Sequence, residues 1–232
     1  MEAAEFDKFA DEYRALHAAN IALSGESPDF FAEYKVRDIV RIYGRGPGRP
    51  AAPAILDFGA GVGTSVPFMR KYFPSARITC LDVSAKSLEI GRARFPTEAE
   101  FEIFDGAHIP FDDDRFQIVF AACVFHHVDH DEHVALLREF RRILVPGGFA
   151  FVFEHNPFNP LTVRAVNTCP FDENARLIRA GTMRRRFLDA GFARVFTRYR
   201  IFFPGALRAL RPLEAWMGWL PLAAQYNVFA AK

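Results

Sequence analysis

The sequence predicts an α/β fold whose parallel sheet is covered by helices on both faces. Short apolar segments alternate with helix-like segments from residue 54 onward. Such alternation is typical of strand–helix–strand units, and apolar strands indicate a sheet that is buried on both sides. A glycine-rich stretch also stands where the first strand meets the first helix, Ile55-Leu-Asp-Phe-Gly-Ala-Gly-Val-Gly-Thr-Ser65. A turn of this kind lets a ligand approach bare backbone at a helix N-terminus.

The overall composition indicates one domain of this class with an appendage. The chain has 232 residues, and its net charge of +1 provides no field that would attract nucleic acid or an anionic membrane. Three widely spaced cysteines predict neither a disulfide framework nor a Cys-x-x-Cys metal pair. The polar N-terminus and the absence of an apolar run of about 18 residues argue against a secretion signal and a transmembrane helix. We therefore expect a cytoplasmic protein without stable membrane insertion, and its expected oligomeric state is a monomer or homodimer.

The first 43 residues are predicted to form a helical cap or lid. Phe6, Phe9, Ala10 and Tyr13 share one face at helical spacing. The next ten residues cannot form a helix or a paired strand, because they are dominated by glycine and proline, Gly44-Arg-Gly-Pro-Gly-Arg-Pro-Ala-Ala-Pro53. The expected organisation is a cap over 1–43, a linker over 44–53 and a main domain over 54–232.

Within the main domain the sequence predicts seven strands and four helices. The segment 155–181 is predicted to be an irregular insert that covers the substrate, because its prolines fix irregular backbone. Residues 199–224 are predicted to form a C-terminal cover, with an amphipathic part over 204–217 for which attachment to a membrane surface is the alternative. We expect strands over 54–58, 77–82, 101–104, 116–121, 149–154, 194–203 and 225–230, and helices over 64–72, 85–95, 131–144 and 182–190.

Acidic and other polar residues follow the predicted strands. In an open parallel sheet the ligand crevice lies at the carboxyl ends of the strands, so these residues are expected to meet at one edge. They are Asp57 with the glycine loop, Asp82, Asp105-Gly106, the stretch Cys123-Val-Phe-His-His127 and Glu154-His-Asn156.

The spacing of the glycines indicates the kind of ligand. The pattern is Asp-x-Gly-x-Gly-x-Gly, which is neither the dinucleotide fingerprint G-x-G-x-x-G nor a phosphate loop with its lysine. Carboxylates beside the loop suit a cationic or zwitterionic ligand rather than a pyrophosphate. Asp82 follows Gly63 by about one helix and one strand, where an acidic group can accept hydrogen bonds from a ribose diol.

With these residues in place, the chain resembles the class I (Rossmann-like) S-adenosylmethionine (SAM)-dependent methyltransferases. The resemblance covers about residues 54–155 and includes Leu144-Val-Pro-Gly-Gly148, with all the matching pieces in the same order and spacing. It implies a doubly wound, seven-stranded, mostly parallel sheet whose last strand is antiparallel. It also implies SAM as cofactor, and we expect methyl transfer to an oxygen or nitrogen of a small molecule, such as a secondary metabolite or a lipid- or sugar-like acceptor.

The resemblance also implies which residues contact the cofactor. The glycine loop would lie under the methionine portion, Asp82 would bind the ribose, and Asp105 with Gly106 and Ala107 would meet the adenine amino group. Tyr13 resembles a lid tyrosine. Structural alternatives stay open, namely that Asp82 is only a helix cap, that Asp105 only shapes a turn, and that Tyr13 only packs on its helix face. The complete expected set is Tyr13, Asp57, Gly59, Ala60, Gly61, Gly63, Asp82, Val83, Asp105, Gly106, Ala107 and Cys123.

Catalytic and substrate-binding candidates follow the fourth and fifth strands. His126, His127, Glu154 and His155 are candidates for proton transfer, because histidine titrates near neutrality. Packing or capping by the histidines is the alternative. No metal is expected, because the histidines over 126–133 have no second half-site at ligand spacing. Asn156, Asn159, Asn167 and Phe125 are predicted to contact substrate, although asparagines beside prolines also shape turns.

Two other functions remain open at this point. The same fold can hold SAM so that its own amino or carboxyl group attacks, which forms a ring and releases methylthioadenosine. A SAM-binding module without catalytic activity is the non-enzymatic alternative. A nucleic-acid substrate is not expected, because the sequence has no basic stripe with interleaved aromatic residues.

Overall fold

The computed structural model describes residues 13–44 and 49–232. Its centre is a seven-stranded sheet with the order β3-β2-β1-β4-β5-β7-β6. Among the described strands, only β7 is antiparallel to its neighbours β5 and β6. This topology confirms the predicted doubly wound, mostly parallel sheet. The strands are β1 (Ala54–Phe58), β2 (Arg77–Asp82), β3 (Glu100–Ile103), β4 (Phe116–Ala122), β5 (Leu144–His155), β6 (Val195–Arg200) and β7 (Gln225–Ala231).

Helices cover both faces of the sheet. Short 3₁₀ turns occupy Ala22–Ser24, Phe125–His127, Pro170–Asp172 and Gly205–Leu213. None of the helices in the described ranges combines the length and the apolar character that a membrane crossing requires. The α-helices are α1 (Tyr13–Asn20), α2 (Pro28–Tyr43), α3 (Val66–Tyr72), α4 (Ala85–Arg94), α5 (His133–Ile143), α6 (Pro160–Asn167), α7 (Ala180–Asp189) and α8 (Glu214–Met217).

Two elements differ from the sequence-based expectation. Helix α6 lies in the segment 155–181, which was expected to be irregular. Asn159 caps this helix by accepting hydrogen bonds from the Leu161 and Thr162 amides, and Pro160 occupies its first turn. An Asn-Pro pair suits a helix start as well as a turn, which is why the sequence was ambiguous there. Strand β5 begins at Leu144 rather than 149, and the Pro146-Gly147-Gly148 stretch forms an irregularity within it.

The sheet separates two hydrophobic cores. Leu56 and Val119 pack on one face with Phe140 of α5. Their neighbours Ile55 and Ile118 pack on the opposite face, because successive side chains of a strand point to opposite sides. Burial on both faces explains why these strands are almost wholly apolar.

Helix α2 covers the second face and belongs to its core. Tyr34, Ile39 and Tyr43 are buried there against strands β1, β4 and β5. Arg49 continues this packing, with its guanidinium 4.7 Å from the Tyr43 ring centroid and 4.9 Å from that of Phe149. Residues 45–48 of the linker, and residues 1–12 with the predicted helical face of Phe6 and Phe9, lie outside the described residues. The division into cap, linker and main domain stays a prediction.

Candidate functional site

A cavity of about 330 Å³ lies at the carboxyl ends of the central strands. This volume is at the lower end of the range found for small-molecule sites. Parallel strands β1, β2, β4 and β5 all end at this edge, so the turns after them converge on the same space. Helices α2 and α6 and the first residue of β7 complete the walls.

The glycine loop after β1 forms one wall of the cavity. Gly59, Gly61 and Gly63 have positive φ angles of 72°, 52° and 74°, which glycine adopts without strain. A Cβ on Gly59 would lie 2.4 Å from a methyl carbon of Val124, whereas a Cβ on Gly61 would meet no described atom within 4 Å. Gly61 therefore leaves its backbone bare to the cavity. Ala60 lines the cavity as well, while Gly63 packs near the Phe101 ring.

Asp57, the last polar residue of β1, faces this loop from within the sheet. Its side chain is 2% exposed, and its Oδ2 atom has no hydrogen-bond partner among the described residues. Burial, together with the neighbouring charge of Asp82, raises the pKa of Asp57 to about 8. A hydrogen bond from Ser65 and the charge of Lys35 offset only part of this effect. Burying the ionised carboxylate is therefore costly, and a cationic group of a ligand would compensate it.

Asp82, at the end of β2, is connected directly to the glycine loop. Its Oδ2 accepts a hydrogen bond from the Gly61 amide at 2.7 Å, and its Oδ1 accepts one from the Ser84 amide at 2.9 Å. The N-cap of α4 is Ser84, whose hydroxyl accepts from the Ser87 amide, so Asp82 is not the helix cap. Asp82 lines the cavity, whereas Val83 is buried in the core.

The turn after β3 lies apart from the cavity. Asp105, Gly106 and Ala107 are exposed, and none of them lines it. The Asp105 Oδ1 accepts hydrogen bonds from the Ala107 and His108 amides at 2.8 and 2.9 Å. The bonds from His108 and Ala107 lower the pKa of Asp105. These bonds shape the turn, and the expected contact of Asp105 with the cofactor's adenine stays a prediction.

His126 and Glu154 form a buried pair at the inner end of the cavity. The His126 Nδ1 lies 2.6 Å from the Glu154 Oε2. The other oxygen of Glu154 accepts hydrogen bonds from the amides of Val124 and Phe125, at 3.1 and 2.8 Å. Burial alone would lower the pKa of His126, but the Glu154 charge and the bonds to Asp172 and Glu154 raise it well above its ordinary value. Glu154 thus fixes the turn after β4 and the orientation of its first histidine.

Asp172 brings the two neighbouring histidines together. Its Oδ1 lies 3.4 Å from the His126 Nε2 and 3.3 Å from the His127 Nε2. Burial alone would raise the pKa of Asp172, but its contacts with both imidazoles outweigh this effect and hold it far below the ordinary range. Asp172 was not among the residues expected from the sequence, because it follows β5 by 17 positions in the predicted irregular insert. The only signal was its place after a proline in Cys169-Pro-Phe-Asp172.

His155, the last residue of β5, and Cys123, which follows β4, lie beside this cluster. Both contact Gln225, the first residue of β7. Gln225 places its Nε2 3.4 Å from the His155 Nδ1 and 3.8 Å from the Cys123 Sγ. The Oε1 of Gln225 accepts a hydrogen bond from the Tyr34 hydroxyl of α2. Removal from water, followed by the charge of His126, lowers the pKa of His155 to about 4, so this imidazole is neutral at pH 7. Tyr34 and Gln225 were not singled out in the sequence, because they come from opposite ends of the chain.

Of the four residues expected to contact substrate, only Asn159 lines the cavity. Phe125 is fully buried between Phe140 and His133, which corrects its expected contact with substrate. Asn156 is also buried, and its amide donates to the Pro221 and Ala223 carbonyls. Asn167 is exposed at the end of α6 and does not line the cavity.

Asn159 both caps α6 and lines the cavity, and its amide donates to the Leu222 carbonyl. The predicted C-terminal cover contributes Phe202 and Pro204 to the cavity lining, whereas Trp216 is 82% exposed. The side chain of Tyr13 lies outside the described residues, so its lid role stays a prediction.

The two ends of the cavity therefore have different chemistry. The β1–β2 end presents carboxylates and bare backbone, which suit a ligand with positive charge and hydroxyl groups. The β4–β5 end presents imidazoles beside a carboxylate, which can hold or accept a proton. Lys35 of α2 is 7% exposed and adds a positive charge to the same lining.

Comparison with known proteins agrees with this geometry. Residues 55–148 match a family profile described as "Methyltransferase domain". The chain is 35% identical over 102 residues to a demethylmenaquinone methyltransferase of Chlorobaculum tepidum, and the match covers 44% of this chain and 40% of that protein. It is 31% identical over 111 residues to the ubiquinone/menaquinone biosynthesis C-methyltransferase UbiE of Desulfotalea psychrophila, with 47% and 44% covered. The matches span less than half the length of these curated relatives.

A solved structure resembles the whole chain. It is a SAM-dependent methyltransferase of Thermotoga maritima, described as a possible histamine N-methyltransferase. The two superpose with a TM-score of 0.68 over 100% of both chains, at 18% sequence identity. At this identity the likeness concerns the fold alone.

Proposed function

We infer that this chain, which belongs to the class I SAM-dependent methyltransferase family, binds SAM at the β1–β2 end of its cavity and methylates a small molecule at the β4–β5 end. The observation that supports this inference is the continuity of the cavity. One wall contains the glycine loop with Asp57 and Asp82, and the other contains His127 and His155. Cofactor and acceptor would therefore meet within a single space.

The residues of the β1–β2 end fit the cofactor. Asp57 has an unpartnered oxygen that suits the cofactor's ammonium group, and Gly61 leaves the space beside its backbone open. Asp82 lines the cavity and is held in place by the Gly61 and Ser84 amides, and a carboxylate so placed suits the hydroxyl groups of a ribose. Lys35 provides a positive charge for a carboxylate. When bound, SAM supplies a methyl group on a positively charged sulfur.

At the other end, the protein would prepare an oxygen or nitrogen of the acceptor for attack. Burial lowers the pKa of His127 despite its contact with Asp172, so its imidazole is neutral at pH 7. A neutral imidazole can take the proton of a hydroxyl or an amine, and the Asp172 carboxylate at 3.3 Å would stabilise the resulting imidazolium. His126 and Glu154 act as positioning residues in this scheme, because both are almost completely buried. The enzyme would otherwise contribute by orienting the reactants and excluding water.

A carbon acceptor is the second candidate. The relative named as a ubiquinone/menaquinone biosynthesis C-methyltransferase favours a carbon acceptor. We consider a carbon that lies beside a ring hydroxyl. Loss of a proton from such a hydroxyl makes the neighbouring carbon nucleophilic, so the same imidazole would serve. Methylation assays with phenolic acceptors, followed by mass spectrometry of the fragmented product, distinguish methyl groups on oxygen from those on carbon.

Cofactor binding can be tested with two aspartate variants. We expect saturable SAM binding by isothermal titration calorimetry, and Asp82→Ala should weaken it roughly tenfold or more, because charged hydrogen-bond partners contribute about 1.5–3 kcal/mol each. Asp112→Ala is the matched control, since this exposed carboxylate lies outside the cavity and has no expected role in binding, and its affinity should stay near that of the wild type. Equal affinity of Asp82→Ala and the wild type would remove Asp82 from the ribose role.

The product identifies the reaction. S-Adenosylhomocysteine would indicate methyl transfer, whereas methylthioadenosine would indicate the ring-forming reaction on SAM itself. Recovery of intact SAM after incubation with phenolic, hydroxylated and amine acceptors would favour a binding module. Liquid chromatography of the nucleoside products separates these three outcomes.

A further inference from the structure

Three potential metal ligands meet at the inner end of the cavity. One ring nitrogen each of His126 and His127 and one carboxylate oxygen of Asp172 all lie within 4.8 Å of one another. The Nε2 atoms of the two histidines are the ones that contact Asp172. All three residues line the cavity that also contains the glycine loop. Two histidines and one carboxylate, with further positions open, form a common donor set for first-row divalent metals.

The distances within this cluster are longer than those of charged hydrogen bonds. A charge-assisted N–H···O bond spans about 2.7–2.9 Å, and the His126–Glu154 contact of 2.6 Å is of this short kind. In contrast, the two Nε2 atoms stand 3.4 and 3.3 Å from the Asp172 Oδ1. Two ligand atoms bound tetrahedrally at about 2.1 Å from one ion are separated by about 3.4 Å. The two histidine–aspartate distances therefore match two edges of a tetrahedral site.

Glu154 has the position of a supporting group in a metal site. Histidines that bind metals almost always direct their second ring nitrogen to a carboxylate or carbonyl, which fixes the tautomer. The His126 Nδ1 faces Glu154, so its Nε2 is directed toward Asp172 and His127. Glu154 is itself held by the Val124 and Phe125 amides.

The backbone also holds the ligands in place before any ion binds. His126 and His127 belong to the 3₁₀ turn Phe125–His127, and Asp172 ends the 3₁₀ turn Pro170–Asp172. The two turns are connected, because the Arg176 amide donates to the His126 carbonyl at 2.8 Å and the Ala175 amide donates to the Asp172 carbonyl at 2.9 Å. Such a preformed arrangement favours a precise site.

We propose that His126, His127 and Asp172 bind one divalent first-row transition metal ion, whose open coordination positions face the cavity. This proposal rests on the proposed function and changes its proton step. With its Nε2 bound to the ion, His127 would no longer take the acceptor's proton; the ion would instead bind the acceptor's oxygen beside the methyl donor, and the proton would leave to solvent. A metal-bound hydroxyl loses its proton more readily than a free one. The acceptor class is then a phenol, an enol or an α-hydroxy carbonyl compound, whose oxygen binds the metal as its conjugate base.

The test is a titration of the full chain with Co²⁺, followed by its visible absorption, after treatment with a chelator. The wild type should bind one equivalent and develop the absorption bands of imidazole-bound Co²⁺. His127→Ala and Asp172→Asn should abolish this signal. Glu154→Gln should weaken Co²⁺ binding roughly 10- to 100-fold, as expected for a group that orients a ligand. His108→Ala is the control, since this histidine is exposed and lies outside the cluster, and it should bind like the wild type.

Other results would overturn the proposal. Absence of one-equivalent binding by the wild type would show that the three groups form only hydrogen-bonded ion pairs, and undiminished binding by His127→Ala would show that the ion binds elsewhere. Circular dichroism verifies that each variant is folded. His127→Gln is used in place of His127→Ala if the alanine variant does not fold. SAM titrations of the same samples with and without chelator distinguish failure of the metal proposal from failure of the proposed function, because SAM affinity should not depend on the metal. Failure of SAM binding alone would refute the proposed function and leave the Co²⁺ result valid.

Discussion

At the scale of single residues, we expect Asp57 to make SAM binding depend on pH. Its pKa of about 8 in the free protein exceeds the ordinary value of 3.8, so it is mostly protonated at pH 7. A cationic ligand favours the ionised form, so its binding at pH 7 should release a proton, and its affinity should rise with pH up to about 8 and level off above. Calorimetry in buffers of different ionisation enthalpy measures the released proton.

Asp57→Asn is the control for this prediction. The variant should release no proton on binding, and its affinity should not follow the same pH profile. Stability provides an independent check. Because the folded-state pKa is raised, the native state holds the proton between about pH 4 and 8, so this group's contribution to stability falls as pH rises through that window. Urea unfolding should show the wild type losing stability relative to Asp57→Asn by up to about a kcal/mol per pH unit. Proton-free binding by the wild type would contradict the role of Asp57.

Two glycines of the same loop should respond differently to alanine. Gly59→Ala should lower the free energy of unfolding by about 1–3 kcal/mol, because its Cβ would clash with Val124 and its φ is positive. Gly61→Ala meets open space, so backbone strain of about 1–2 kcal/mol is its main effect on folding, but its methyl group would enter the cavity. Urea unfolding and SAM titration of both variants separate the effects. Equal loss of SAM affinity in two stably folded variants would contradict the different roles.

The predictable part of the site is the part that lies next to a strand in the sequence. Asp57 and Asp82 lie at the carboxyl ends of apolar strands, and the structure places both at the cavity. Asp105 has the same sequence signal, yet its oxygen is used by two amides of its own turn. Lys35 and Asp172 have no local signal, because only the packing of α2 and of the segment after α6 brings them to the cavity.

At the scale of secondary-structure elements, α6 depends on its cap. Asn159→Ala would remove the acceptor for the Leu161 and Thr162 amides and the bond to the Leu222 carbonyl. We expect a loss of about 1 kcal/mol in the free energy of unfolding, together with faster amide hydrogen exchange over 160–167. Asn167→Ala, at the exposed end of the same helix, is the matched control and should change neither. Unchanged exchange in the Asn159 variant would show that the cap does not maintain the helix.

The boundaries of the elements show where sequence patterns are insufficient. Apolar runs with acidic ends predicted the strands well, because burial on both faces leaves a strong signal. The Pro146-Gly147-Gly148 stretch indicated a turn before β5, but the strand continues through it by means of an irregularity opposite Gln117. Helix α6 was missed because Asn-Pro pairs begin helices and turns alike.

At the scale of the whole molecule, the cavity depends on contacts between distant parts of the chain. The Tyr34 hydroxyl of α2 donates to Gln225, which in turn contacts Cys123 and His155. The topology of the sheet could be predicted through the resemblance to a known family, because the order of the motifs identifies it. The composition of the pocket could not, since side chains from α2, α6 and β7 meet only after the sheet has formed.

The position of β7 has a consequence for how the protein forms during synthesis. This strand lies between β5 and β6, although both precede it in the chain. While the polypeptide is emerging from the ribosome, the outer edge of β5 remains without its partner until residues 225–231 have been made. Gln225 arrives with the same strand, so the nascent chain has an open pocket until then. We expect chaperones to bind the nascent chain while the edge of β5 is exposed and to be released once β7 has emerged.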